Sequence, residues 1–257
     1  MILLNPTYET LRPLLSEPER LMTRGTAIHR GRNMLCEVEV EGVRLCIKRY
    51  GTPNVFRNFV YRYLRAPKGL RAWRNSHALR AAGFDSPEPV AYIQRNTGWG
   101  IKDSYYICLY EEGQTLYRWG DQSLASLQDE VRAFALFTAR MHEAGFLICD
   151  YTPGNILCTG TGFTLVDTNR MRQGKVSLAC GLRNMAGLWL QPETAAYLAQ
   201  VYAEARGADP ELAEAQMAQY RRAFWKRFVR RHGLHDIIIH RDLDGSQYSY
   251  PLNTTIR

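Results

Sequence analysis

Three residue types that phosphoryl transfer requires occur along the 257-residue chain in a workable order. Lys48 closes the run Leu45-Cys46-Ile47, so an ammonium stands at the end of a candidate strand, where it can neutralise the α- and β-phosphates of a nucleotide. Asp150 and Asn155 follow in Asp150-Tyr151-Thr152-Pro153-Gly154-Asn155. That spacing puts a carboxylate able to take a hydroxyl proton and an amide able to bind a metal on one loop. Asp167 comes twelve residues after Asn155, directly behind Phe163-Thr164-Leu165-Val166. A hard cation prefers oxygen ligands, and Asn155 and Asp167 with nucleotide oxygens would supply them to Mg²⁺. Alone, each feature is an ordinary surface lysine, turn or cap; the order and spacing carry the reading.

The elements that must hold these residues are legible from periodicity. Leu35, Glu37, Glu39 and Glu41 alternate with Cys36, Val38 and Val40, and Glu41-Gly42 turns the chain into Val43–Lys48, so residues 26–50 read as a β-hairpin with an earlier turn at Gly31-Arg32-Asn33. Residues 54–82 read as a basic helix stopped by Gly83. Pro87 and Pro89 force extended chain, followed by strands at Val90–Gln94 and Ser104–Tyr110. Residues 123–144 place Leu127, Val131, Phe134, Thr138 and Met141 on one helical face, with Gly145 as its stop. Two short strands, 155–158 and 163–166, flank the turn Thr159-Gly160-Thr161-Gly162, and residues 183–232 are mostly helical. The expectation is an α+β fold of two lobes, a small β-rich N-lobe over 1–112 and a helix-rich C-lobe over 113–257.

Composition narrows the classes. There are 33 Lys+Arg against 25 Asp+Glu, a net charge of +8. Such a balance favours an anionic partner: nucleotide, phosphorylated lipid or acidic membrane face. Basic residues cluster at Arg57–Arg74, Arg170–Arg183 and Arg221–Arg231. No nucleic-acid motif accompanies them, so no nucleic-acid partner is expected. No apolar run approaches the ~18 residues of a membrane span, and the start MILLNPTYETLRP lacks the basic region of a secretory signal. The six cysteines form no CxxC pair, the reading of a reduced, cytoplasmic chain, and the histidines show no metal spacing with them. No GxSxG elbow supports a serine nucleophile.

The segments Asp150–Leu157 (DYTPGNIL) and Leu165–Met171 (LVDTNRM) resemble the lipopolysaccharide kinase family, the Kdo and heptose kinases, in its Bacteroidetes-type branch. The Gly31-Arg32-Asn33 turn, the Lys48 strand and Ala82–Tyr92 are similar to it too, so the resemblance spans residues 25–190. It implies a protein-kinase-like fold and a Mg-ATP-dependent kinase that phosphorylates a sugar hydroxyl of the lipid A–core, on the cytoplasmic face of the inner membrane. Under that resemblance Lys48 binds phosphates, Asp150 is the catalytic base, Asn155 and Asp167 hold Mg²⁺, and Gly31, Arg32 and Asn33 cover ATP. The acceptor would be lipopolysaccharide or lipid A–Kdo. Phe56–Arg65 and Ala223–Arg231 combine aromatics with cations, as a peripheral membrane surface would, or as helices with aromatics in the core would.

Two departures keep a pseudokinase module, or a kinase with another acceptor, as alternatives. Kinase-like folds orient the lysine with a helix glutamate. Residues 71–80 hold no acid, and Arg74 stands where that glutamate is sought; either another acid substitutes, with Glu88 and Glu130 as candidates, or Lys48 is held by nucleotide and Asp167 alone, or the site is degraded. Ile148 replaces the histidine usual two residues before the base. His240-Arg241-Asp242-Leu243 mimics a catalytic loop, but Gln247 stands where its asparagine belongs.

Overall fold

The computed structural model describes the chain except residues 30–32, 54–57, 59–60, 62–64, 99, 121, 233–236, 242–246 and 252–257. The chain divides into two compact units, each described by itself. The first holds Met1–Glu112 and also Asp167–Arg170; the second holds Gly113–Val166 and Met171–Thr255.

The first unit is built on a six-stranded antiparallel sheet. Its strands are β1 (Ile2–Leu4), β2 (Thr26–His29), β3 (Asn33–Val40), β4 (Val43–Tyr50), β5 (Pro89–Thr97) and β6 (Gly100–Leu109), in the order β1-β5-β6-β4-β3-β2. The β3–β4 hairpin turns on Glu41 and Gly42, both at positive φ (50° and 79°). This two-residue turn matches the twist of the flanking strands. Alternation along β4 sends Leu45 and Ile47 to one face, where helices α1 (Arg12–Leu15) and α2 (Pro18–Arg24) close a core with Leu11, Leu15, Leu21, Val38 and Ile107. These two helices carry no signal that the sequence reading used. Cys46, Lys48 and Tyr50 point to the opposite face, where Ala72 of helix α3 (Lys68–Ala81) packs with Tyr50, Tyr106 and Cys108. Gly69 makes this approach possible: a Cβ there would stand 2.7 Å from the Tyr92 ring and 3.3 Å from that of Tyr50. Of the 54–82 expected as helix, Asn58 and Tyr61 are helical and residues 54–57, 59–60 and 62–64 lie outside the described residues. Pro67 restrains the preceding residue to extended backbone, so helix α3 starts at Lys68. It ends as expected at Gly83 (φ 80°), with Phe84 N–H donating to Leu79 O at 3.0 Å.

The second unit is helical with small ribbons. Helix α4 (Leu124–Glu143) buries Leu127, Val131, Phe134, Thr138 and Met141, the face expected from their spacing, and Gly145 (φ 84°) ends it. Strand β9 (Ile156–Thr159) pairs with β10 (Gly162–Leu165) as expected, and also with the two-residue β7 (Gln114–Thr115), too short to read from periodicity. Strand β8 (Phe146–Ile148) pairs with β11 (Met171–Gln173). Helices α5 (Leu178–Met185), α6 (Pro192–Ala205) and α7 (Pro210–His232) complete the unit. Last comes a hairpin of β12 (Ile237–Arg241) and β13 (Gln247–Pro251). His240 and Arg241 therefore sit in a paired strand, whereas Asp242 and Leu243 lie outside the described residues.

Candidate active site

In the sheet unit the structure brings Lys48 and Asp167 together. Lys48 Nζ lies 2.9 Å from Asp167 Oδ2, with about a fifth of each side chain exposed. Asp167 Oδ1 accepts from Asn169 Nδ2. In such a largely covered ion pair the desolvation cost offsets much of the attraction, so folding alone does not call for it.

Hydroxyls hold the turn that carries Asp167 against α3. Thr168 is buried, and its Oγ1 donates to Ala72 O at 3.3 Å. It must then accept from Ser76 Oγ at 3.0 Å. Ser76 in turn accepts from Ser86 Oγ and Tyr106 OH, each at 3.1 Å. Asn75 Nδ2 adds a bond to Thr168 O at 2.6 Å. Sequence reasoning missed these residues. The only signal was their type, since hydroxyls and an amide spaced by some 90 positions show no periodicity.

The expected glutamate substitutes are engaged elsewhere. Glu88 accepts from Asn5, Tyr8 and Arg80, and Glu130 from Arg118 and the Trp119 indole at 3.0 Å. Lys48 takes Asp167 itself as its carboxylate partner. Arg74 also fails the expectation. It is exposed, and Arg71, one turn earlier, is the half-buried α3 cation within electrostatic reach of Tyr50 and Arg170. Asn33 begins β3 opposite Tyr50, on the face that Lys48 and Tyr50 share, and lines a cleft with Tyr50, Gly51, Tyr61 and Ser104. Gly31 and Arg32 lie outside the described residues. Gly25 abuts β3 so closely that a Cβ would meet Glu37 O at 2.3 Å; its smallness serves packing.

In the helical unit Asp150 and Asn155 share one tight loop. Thr152 N–H and Asn155 Nδ2 both donate to Asp150 O at 2.9 Å. The bond fixes the Asn155 amide orientation and leaves Oδ1 as its possible ligand atom. Asn155 O accepts from Val166 N–H at 3.1 Å, the residue before Asp167. Tyr151 turns inward, its hydroxyl 2.8 Å from Thr138 Oγ1.

The missing loop histidine is answered by a directed chain of hydrogen bonds. Asn184 Nδ2 of α5 donates to Ile148 O at 2.9 Å, so its Oδ1 faces His142 Nε2 at 3.3 Å. His142 Nε2 must therefore be the protonated nitrogen, and Nδ1 accepts from Tyr202 OH at 2.9 Å. Arg206 Nη1 donates to the same Tyr202 oxygen at 2.8 Å. Burial pushes His142 down to about 4, against the Asn184 bond that favours its charge; Arg206 lowers it further.

No family model and no curated protein matches the sequence. Among solved structures the chain aligns with WaaP, determined in complex with acyl carrier protein, at 17% identity and a TM-score of 0.59, over 88% of this chain and 99% of that one. The fold is kinase-like. The expected α+β architecture, one sheet-rich unit and one helix-rich unit, is thus borne out. In all, 1366 solved chains match this fold, so architecture alone does not select an acceptor.

Proposed function

We propose that the chain is a Mg-ATP-dependent phosphotransferase that moves the γ-phosphate to a sugar hydroxyl, Kdo or heptose, of the lipopolysaccharide lipid A–core. The single observation that carries the reading is the Lys48–Asp167 contact on the sheet face that α3 packs against, in a kinase-like fold. In this reading Lys48 neutralises the phosphates. Asp150 takes the proton of the attacking hydroxyl, on a loop its own backbone keeps rigid. Asn33, with Gly31 and Arg32, covers the nucleotide. The donor set fits Mg²⁺: one carboxylate (Asp167) and one amide oxygen (Asn155), the remaining positions going to phosphates and water. Bound Mg²⁺ would neutralise charge that develops between the β- and γ-phosphates. The acceptor rests on the resemblance of Asp150–Leu157 and Leu165–Met171, and a polyanionic acceptor suits the charge of +8. Peripheral contact with the cytoplasmic face of the inner membrane belongs to the same proposal, since such an acceptor lies there.

One observation favours the second reading, a pseudokinase module. Asp167 is already occupied by Lys48 and Asn169, which would compete with a metal. Thermal unfolding with ATP separates the two. Nucleotide at ~100 times its Kd stabilises by about 2.7 kcal/mol, roughly 5–10 °C for a chain of this size. A Mg²⁺-dependent rise that Asp167→Asn abolishes, followed by phosphate transfer to lipid A–Kdo that Asp150→Asn abolishes, supports the enzyme. No rise at millimolar ATP puts the pseudokinase first.

A further inference from the structure

The helix beside Lys48 carries cations where charge balance would call for acids. Arg71 is half-buried on α3, and its Nε and Nη1 are shielded from solvent with no hydrogen-bond partner among the described residues. Tyr50 OH, on the sheet face that α3 covers, is likewise buried and unpartnered. Three donors thus meet no acceptor on one patch. An orphaned buried donor costs on the order of a lost hydrogen bond, and native chains keep few of them. The Lys48 ammonium lies 5.7 Å from the centre of the Tyr50 ring. Arg65 and Arg170, both exposed, stand within electrostatic reach of Arg71. Burial first, then the like charge of Arg65, holds the Arg71 guanidinium below its ordinary value, and Arg170 adds to this. Among the described residues, Lys48, Arg65, Arg71 and Arg170 bring their charge to this patch beside the carboxylate Asp167.

We infer that Arg71 and Tyr50, with Arg170 and Arg65 at the rim, form an oxyanion site for a phosphate group beside the Lys48–Asp167 pair. Guanidinium and phenol donors suit a phosphate, which accepts several hydrogen bonds and spreads its charge over its oxygens. The phosphate could be a nucleotide's or one carried by the acceptor. The inference needs no turnover to hold, although the phosphotransfer reading supplies both sources.

The probe is inorganic phosphate, compared with chloride at equal ionic strength, on the full chain and on Arg71→Met, Tyr50→Phe and Arg74→Met. Phosphate should raise the melting temperature of the wild type above chloride. Arg71→Met should weaken phosphate binding at least about tenfold. Without ligand it should melt at or above the wild type, because a buried unpaired charge is gone. Tyr50→Phe should weaken binding less, and Arg74→Met, on the exposed side of α3, should leave it unchanged. If Arg71→Met weakens ATP in parallel, the phosphate is the nucleotide's. If ATP affinity holds and only a phosphorylated acceptor binds more weakly, it is the acceptor's. The inference is overturned if phosphate acts no differently from chloride. It is overturned too if Arg71→Met melts lower than wild type with phosphate affinity intact. Phosphate binding that depends on Arg71 in a chain with no kinase activity would sink the phosphotransfer reading and keep the site.

Discussion

Lys48 and His142 show how single residues meet constraints that their neighbours in sequence do not reveal. Lys48 lacks a helix glutamate and takes Asp167 directly. Substituting Lys48→Met should keep the fold at some cost in melting temperature, because Asp167 is left largely covered without its cation, while ATP affinity falls at least tenfold. Equal ATP affinity in calorimetry would remove Lys48 from the site. His142 is neutral in the folded chain, titrating near about 4 against an ordinary 6.5. Below pH 6.5 the unfolded chain therefore binds a proton that the folded chain refuses. The stability His142 gives is complete above that pH and is lost as pH falls toward 4, by ~3 kcal/mol at most. His142→Gln should flatten this limb of the stability profile relative to wild type, measured by urea unfolding between pH 4 and 7. A limb of unchanged slope would contradict the buried neutral imidazole.

At the scale of elements, helix α3 and the Asp167 turn act as one piece through Thr168, Ser76 and Asn75. Replacing Thr168 by Val keeps the shape and removes the hydroxyl. Ser76 then loses its acceptor, which should cost about 1–3 kcal/mol. Because the turn is freed, ATP affinity should drop as well, although no phosphate ligand was touched. Stability and affinity both at wild-type values would show that the hydroxyl string is idle. The β3–β4 hairpin was legible in the sequence because its strands alternate with a period of two, β5 because Pro87 and Pro89 force extended chain, and α4 because its apolar positions recur at three and four. Gly83 and Gly145 were legible because positive φ marks a helix end. The polar string was not, since a hydrogen bond between Asn75 and Thr168 joins residues 93 apart without altering any local pattern. Arg74 was read for Arg71 for a related reason: charge shows in composition, but the helix face that a charge occupies is set by packing, here by Gly69 and Ala72 against the sheet. The Arg221 cluster was read as basic surface, yet Arg221 is buried and donates to Leu188 O and Leu190 O, so its cation serves the fold.

For the whole molecule, charge is the collective property with a consequence. Trp225 is buried among Trp189, Phe224 and Phe228, so core packing accounts for much of the 223–231 aromatic segment. Arg227, Arg230 and Arg231 line an open hollow of about 420 Å³ together with Phe224 and Phe228. No helix among the described residues is long and apolar enough to cross a membrane. Vesicles containing anionic lipid should therefore hold the protein by charge. Sedimentation should show binding that fades between 0.05 and 0.5 M salt, roughly as the Debye length shrinks, and Arg227→Glu/Arg230→Glu should weaken it. Binding that ignores salt would exclude an electrostatic surface. The strip Asp167–Arg170 has a consequence for synthesis. It belongs to the sheet unit yet is encoded 55 positions beyond that unit's Glu112. During translation at ~5–20 residues per second the first unit would wait roughly 3–11 s for this strip. Throughout that interval Ser76 has no Thr168 and Lys48 no Asp167. The chain cannot be cut at residue 112 into an autonomous module, because the sheet unit is finished only by a piece the ribosome delivers late.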